Sequence, residues 1–164
     1  MDQGHEIANA PCPHNAAHND FKNCQTSGEV AMTKTLLAYI TTLIVFVAID
    51  MVWLMWLARP TYVAEMGDLI RKQPNLGAAL AFYVMYAAGL LFFAVMPGLK
   101  SGSLMQGLAL GAAMGFVAYG TYDLTNLSVV NGFGFKIAMI DLAWGTCLSA
   151  VTSAIACALV ARLA

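Results

Sequence analysis

Charged residues cut this chain into four long apolar runs, and that spacing leaves few folds open. Lys34 and Arg59 bracket a run whose only charge is Asp50. Lys72 and Lys100 bracket a second, uncharged between Pro74 and Pro97. Lys100 and Lys136 bracket a third, interrupted by Asp123 and by the turn Asn131-Gly132-Phe133-Gly134. Lys136 and Arg162 bracket a fourth, with Asp141 inside it. A helix needs about 20 apolar residues to cross about 30 Å of hydrocarbon, and every run is long enough. The spacing predicts helices over 35–58, 76–97, 104–129 and 136–162, an all-α membrane protein with four transmembrane helices in an antiparallel bundle. Both termini then share one side. Which side is not chosen by the positive-inside rule, because Lys and Arg divide evenly between the two faces.

Composition agrees. Of 164 residues, 60% are hydrophobic and 10% charged, with a mean hydropathy of +0.69. Soluble domains carry about 25% charged residues. A net charge of -1 argues against nucleic acid, which needs a basic face. The length suits one small bundle and no second domain.

Residues 1–31 are polar and mixed. They lack the apolar core of a signal peptide and are expected to form a disordered tail. Met32 would then serve as an internal start for a self-sufficient transmembrane domain over 32–164, the tail being an artefact of the assigned gene start. Cys12, His14, His18 and Cys24 follow the spacing C-x-H-x3-H-x5-C, which matches no established zinc pattern. No metal or cofactor is expected. Cys147 and Cys157 fall on different faces of one helix, which disfavours a local redox pair. Between the first two helices, Pro60–Asn75 mixes Glu65, Asp68, Arg71 and Lys72 with Tyr62, Val63, Met66, Leu69 and Ile70. That pattern predicts a short amphipathic helix lying in the membrane interface.

The three acids within the runs single out a site. An ionisable group in hydrocarbon is costly, about 2.5–3.5 kcal/mol for Asp at a helix centre, and marks function by default. Asp50 lies near the end of the first helix, Asp123 near the end of the third and Asp141 near the start of the fourth. At about 1.5 Å per residue all three reach one layer near the same membrane face. Unpaired anions at one depth repel, so each must carry a proton, accept hydrogen bonds or face a bound cation. Suitable neighbours exist. Phe46, Asp50, Trp53 and Leu57 share a stripe on the first helix. Asp141, Trp144, Gly145, Ser149 and Thr152 share one on the fourth. On the third, Gly115, Tyr119, Tyr122 and Asn126 line a face with Asp123 at its edge. The second helix offers Tyr83 and Tyr86 but no acid. Ile49-Asp50-Met51-Val52-Trp53 is echoed by Ile140-Asp141-Leu142-Ala143-Trp144. The candidate ligand- or proton-binding residues are therefore Asp50, Trp53, Tyr119, Tyr122, Asp123, Asn126, Asp141 and Trp144, with Asp123 the first choice. Gly107, Gly111 and Gly115 form a ladder that lets helix backbones approach closely, either inside the bundle or between two copies in a homo-oligomer.

From Met32 to the end the chain resembles a family of small bacterial predicted membrane proteins, domain of unknown function 2177. The resemblance is carried by Asp50-Met51-Val52-Trp53-Leu54, Gln73-Pro74-Asn75-Leu76, Phe82-Tyr83 and Tyr86-Ala87-Ala88-Gly89. Two further runs are the most specific: Tyr119-Gly120-Thr121-Tyr122-Asp123-Leu124-Thr125-Asn126-Leu127 and Asp141-Leu142-Ala143-Trp144-Gly145. It implies a multi-pass protein of the bacterial cell (inner) membrane and no established activity.

Three readings stay open. In the first, the acidic, aromatic layer of a non-enzymatic protein binds a small apolar or cationic ligand, a cation or protons, in a transport or accessory role. The second is a membrane-embedded enzyme acting on a lipid or isoprenoid. It is disfavoured by the absence from the spans of a His cluster, an Asp-rich diphosphate motif, paired thiols or a nucleophile elbow. The third is a structural protein whose aspartates hydrogen-bond the helices together.

Overall fold

The computed structural model describes residues 18–58, 73 and 75–163. Four helices are long and apolar enough to cross a membrane, over Gly28–Trp56, Leu76–Ser101, Leu104–Val129 and Phe135–Leu163. They form the antiparallel bundle expected. Helix α1 is His18–Val52, continued by a wide π-helical turn, Trp53–Ala58. Helix α2 comprises Leu76–Leu90, a second wide turn Leu91–Val95, and Met96–Ser101. Helices α3 and α4 are Leu104–Val129 and Phe135–Leu163.

Two boundaries differ from expectation. Helix α1 begins at His18, upstream of the span expected from residue 35. No proline interrupts residues 18–59, and helical hydrogen bonds are local, so the helix continues upstream of the apolar run. There Thr33 and Thr35 donate back to the carbonyls of Glu29 and Ala31. Residues 1–37 and 38–164 are separate compact units, and the bundle belongs to the second. Helix α2 does not end at Pro97 but runs on to Ser101. Proline has no N–H and its ring collides with the carbonyl four residues back. The wide turn just upstream, closed by Met96 N–H on the Leu91 carbonyl, gives the ring room and keeps the helix going. The interfacial helix expected over Pro60–Asn75, and the sequence features at Cys12 and His14, lie outside the described residues.

Local chemistry sets the other ends. Asn75 caps α2 by accepting from Ala78 N–H at 3.2 Å, and Ser103 caps α3 by accepting from Gln106 N–H at 3.3 Å. Gly102 ends α2 in the left-handed conformation, φ 64°. The α3–α4 turn is the one expected: Phe133 N–H returns to the Val130 carbonyl at 3.3 Å, with Gly132 at φ 89°. Phe133 then folds under α4 against Ile137 and Ala138.

The bundle is apolar on its outer face, and its largely apolar interior also takes in small polar side chains. Thr42, Ser149, Thr152 and Ser153 are fully buried, whereas Ile44, Met85, Phe92 and Phe116 point outward. Small residues join α3 to α4. A Cβ on Gly111 would stand 2.6 Å from the Ser149 carbonyl, and one on Gly115 2.5 Å from the Gly145 carbonyl. The glycine ladder thus packs inside the chain, where α4 occupies the face it offers. Helix α1 instead joins through large side chains. Phe46 is fully buried among Tyr86, Leu90 and Leu148 and stacks on Tyr86 at 4.9 Å.

Candidate functional site

Beyond Gly115 the character of α3 changes within one turn, and a cavity opens. It measures about 540 Å³ and takes its walls from all four helices. Asp50, Trp53 and Leu54 come from α1, and Phe82, Tyr83 and Tyr86 from α2. Tyr119 and Tyr122 come from α3, and Asp141 and Trp144 from α4. Gly145 positions one of these walls: the Tyr119 ring occupies the space a Cβ there would need. Ser149 fixes another. Its hydroxyl donates to the Gly145 carbonyl at 2.6 Å, so the Tyr86 hydroxyl, 2.8 Å away, is the donor to Ser149.

Asp50 is 5% exposed and held on two sides. Tyr83 donates to its Oδ2 at 2.7 Å, and the Trp144 indole N–H to its Oδ1 at 3.2 Å. One carboxylate therefore ties α1 to both α2 and α4. The sequence echo acquires a structural meaning here. The tryptophan of the second Asp-x-x-Trp reaches the aspartate of the first, and the two tryptophans, Trp53 and Trp144, stack at 4.3 Å with planes 9° apart. The arrangement is not reciprocal, since the Trp53 indole N–H is buried with no acceptor among the described residues. Trp53 also opens the wide turn of α1, an irregularity that is common at functional positions.

Asp123 is the exception. It stands at the edge of the Tyr119–Tyr122 face, four residues past Tyr119, but is not among the residues that line the cavity. It is 0% exposed, on the side of α3 where Gly120 packs against Leu142 of α4. Neither of its oxygens has a hydrogen-bond partner among the described residues. The Asp141 carboxylate is within electrostatic reach of it. Of the three ways to accommodate an intramembrane acid, accepting hydrogen bonds is the one Asp50 uses.

Of the eight residues singled out in the sequence, six line the cavity: Asp50, Trp53, Tyr119, Tyr122, Asp141 and Trp144. Asn126 stands behind it, one turn beyond Tyr122 and hydrogen-bonded to its side chain. Sequence reasoning left out Tyr83, which holds Asp50, together with Phe82 and Tyr86. Depth could have found Tyr83. It lies seven residues past Leu76, about 10 Å along the helix, in the same layer as the acids. Among the described residues no cluster of His, Cys, Asp and Glu could hold a metal.

Neither curated proteins nor solved structures provide a match to this chain. A family model does, over residues 35–158, which take in all four helices and every wall of the cavity; the chain belongs to the family described as predicted membrane protein, DUF2177.

Proposed function

We propose that this protein, in the bacterial inner membrane, binds a small organic cation within the bilayer, in a transport or accessory role rather than as an enzyme. One observation carries the reading. Asp50 and Asp141, from different helices, open on the same cavity, and most of its remaining wall is aromatic, with Tyr83, Tyr119, Tyr122, Trp53 and Trp144 among the rings. Carboxylates supply charge, and ring faces attract a desolvated cation by about 2 kcal/mol each in good geometry. A volume near 540 Å³ suits a compact organic ion better than a bare metal ion, which would need a closed shell of oxygens.

A second reading has support at one residue. Both oxygens of Asp50 accept hydrogen bonds from neighbouring helices, as a purely structural aspartate would. Asp141, the other acid of the wall, is the position to test. Labelled tetramethylammonium should bind saturably to the purified protein in phosphatidylcholine nanodiscs, measured by equilibrium dialysis. Asp141→Asn should weaken it about tenfold or more, the loss of one charge contact at low dielectric. Tyr119→Phe, which keeps the ring, should leave most of the affinity. No saturable binding, or equal binding by Asp141→Asn, would sink the proposal.

A further inference from the structure

Where α3 and α4 part to make the cavity, one glycine decides how much room there is. Gly145 is buried on α4, and the Tyr119 ring lies against it, in the space a Cβ would need. The ring is hemmed in on its other flanks. Tyr86 meets it edge-on, with centroids 5.9 Å apart and planes at 88°, and Tyr86 is itself tied to Ser149 at 2.8 Å. Phe46 and Leu148 belong to the same packed cluster. Separating α3 from α4 is no way out. A Cβ on Gly115, one turn before Tyr119, would stand 2.5 Å from the Gly145 carbonyl, so the two backbones are already in contact there. The side left open is the cavity, which Tyr119 lines.

We infer that Gly145 is the specificity-determining residue for ligand size: by giving the Tyr119 ring a place on the α4 backbone, it keeps the cavity wide enough for ammonium ions bulkier than tetramethylammonium. This role rests on the cation-binding reading above and adds the size of the ion and the residue that sets it. The physical basis is volume. A space near 540 Å³ lies in the range that encloses whole organic molecules, and ring faces attract an ion only when it comes close to them. A small ion touches some of these rings. A bulkier one reaches more of them at once. With a methyl group at position 145, the ring is pushed toward the ion, because a packed interior passes displacement on rather than absorbing it. The bulky ion then loses its place first, and the small one still fits.

Tetramethylammonium and tetrapropylammonium carry the same charge and differ in bulk. Both are measured by equilibrium dialysis on the protein in phosphatidylcholine nanodiscs, against empty nanodiscs. The ratio of their dissociation constants is the readout, since a loss of folded protein changes the number of sites and not the ratio. Gly145→Ala should weaken tetrapropylammonium about tenfold or more, the order of an overpacking penalty, and tetramethylammonium by no more than about threefold. Tyr119→Ala, which takes the ring away, should move the ratio the other way, toward the bulky ion. In that background Gly145→Ala should no longer change the ratio, because the two groups that collide are not both present. Should Gly145→Ala alone fail to fold, the two proteins that carry Tyr119→Ala still decide. Three results would each overturn the role of Gly145 and leave the cation reading in place: Gly145→Ala weakening both ions equally or neither, a size preference that Tyr119→Ala leaves unchanged, or a Gly145→Ala effect that persists without the ring. No saturable binding of either ion by the parent protein would overturn the cation reading as well.

Discussion

Along α3, Gly107, Gly111 and Gly115 bring two backbones into contact, and one turn later Tyr119 and Tyr122 line a cavity. The same pair of helices changes from seam to chamber because side-chain volume changes from nothing to a phenol. In the seam the partners are backbone carbonyls and small hydroxyls, Ser149 and Ser153. In the chamber they are rings and carboxylates, and α1 is held by long side chains rather than by close approach. In lipid, association gains nothing from burying hydrocarbon, so contact quality decides stability. The seam has that quality. The chamber gives up packing for a polar, shaped space, as binding sites do.

The hardest way to break this contrast is to give the seam side chains. Gly111→Val places a branched carbon where Ser149 O and Ser153 Oγ leave no room. Overpacking typically costs about 1–3 kcal/mol, and backbone obstacles on two sides set the upper end. The variant is expected to lose about 3 kcal/mol or to fail to fold, by thermal unfolding in detergent. Stability within about 0.5 kcal/mol of the parent, the size of an ordinary surface change, would show that α3 and α4 are not in contact there.

An intermediate effect is expected at Asp50. Tyr83→Phe removes one of its two donors and no volume. Interhelical hydrogen bonds in membrane proteins average about 0.6 kcal/mol and reach about 1.7. The variant should lose about 1 kcal/mol, and combining it with Asp50→Asn should cost less than the two separate losses added, because both remove one interaction. Full additivity would mean that the 2.7 Å bond is not made in the membrane.

The seam was far easier to read in the sequence than the chamber. Small residues spaced by four declare close approach wherever they occur, and charge-bracketed runs declare spans; the range 104–129 for α3 needed no revision. The acids declared their depth, because rise per residue is fixed. Helix rotation was harder. Tyr122 and Asp123 are neighbours about 100° apart on the helix, and which of them faces the cavity depends on how α3 packs against α4. Gly120 and Gly115 settle that packing, since they turn the Asp123 side toward α4. Tyr83 went unselected for a related reason: α2 has no acid to draw attention, and its part is to serve an acid on another helix. The run of α2 past Pro97 was hidden because a wide turn carries no sequence mark of its own.

Asp123 gives the smallest expected effect on stability and the sharpest comparison with Asp50. Both are buried acids, but Asp50 has two donors and Asp123 none among the described residues. Breaking a satisfied polar pair destabilises, whereas replacing an unsatisfied buried polar group by an apolar one of similar shape is neutral or stabilising. Asp123→Leu should therefore leave the melting temperature unchanged or raise it, and Asp123→Asn should be nearly silent, within about 0.5 kcal/mol. Asp50→Leu should lower it. The expectation separates two roles that the sequence could not. If Asp123→Leu instead destabilises by about 1 kcal/mol or more, the size of a lost interhelical bond, Asp123 has a partner in the membrane and belongs with Asp50 as a structural residue. If stability holds and tetramethylammonium binding changes, the carboxyl acts through its neighbour Asp141 on the cavity. That is the position from which a group outside the walls can set the charge inside them.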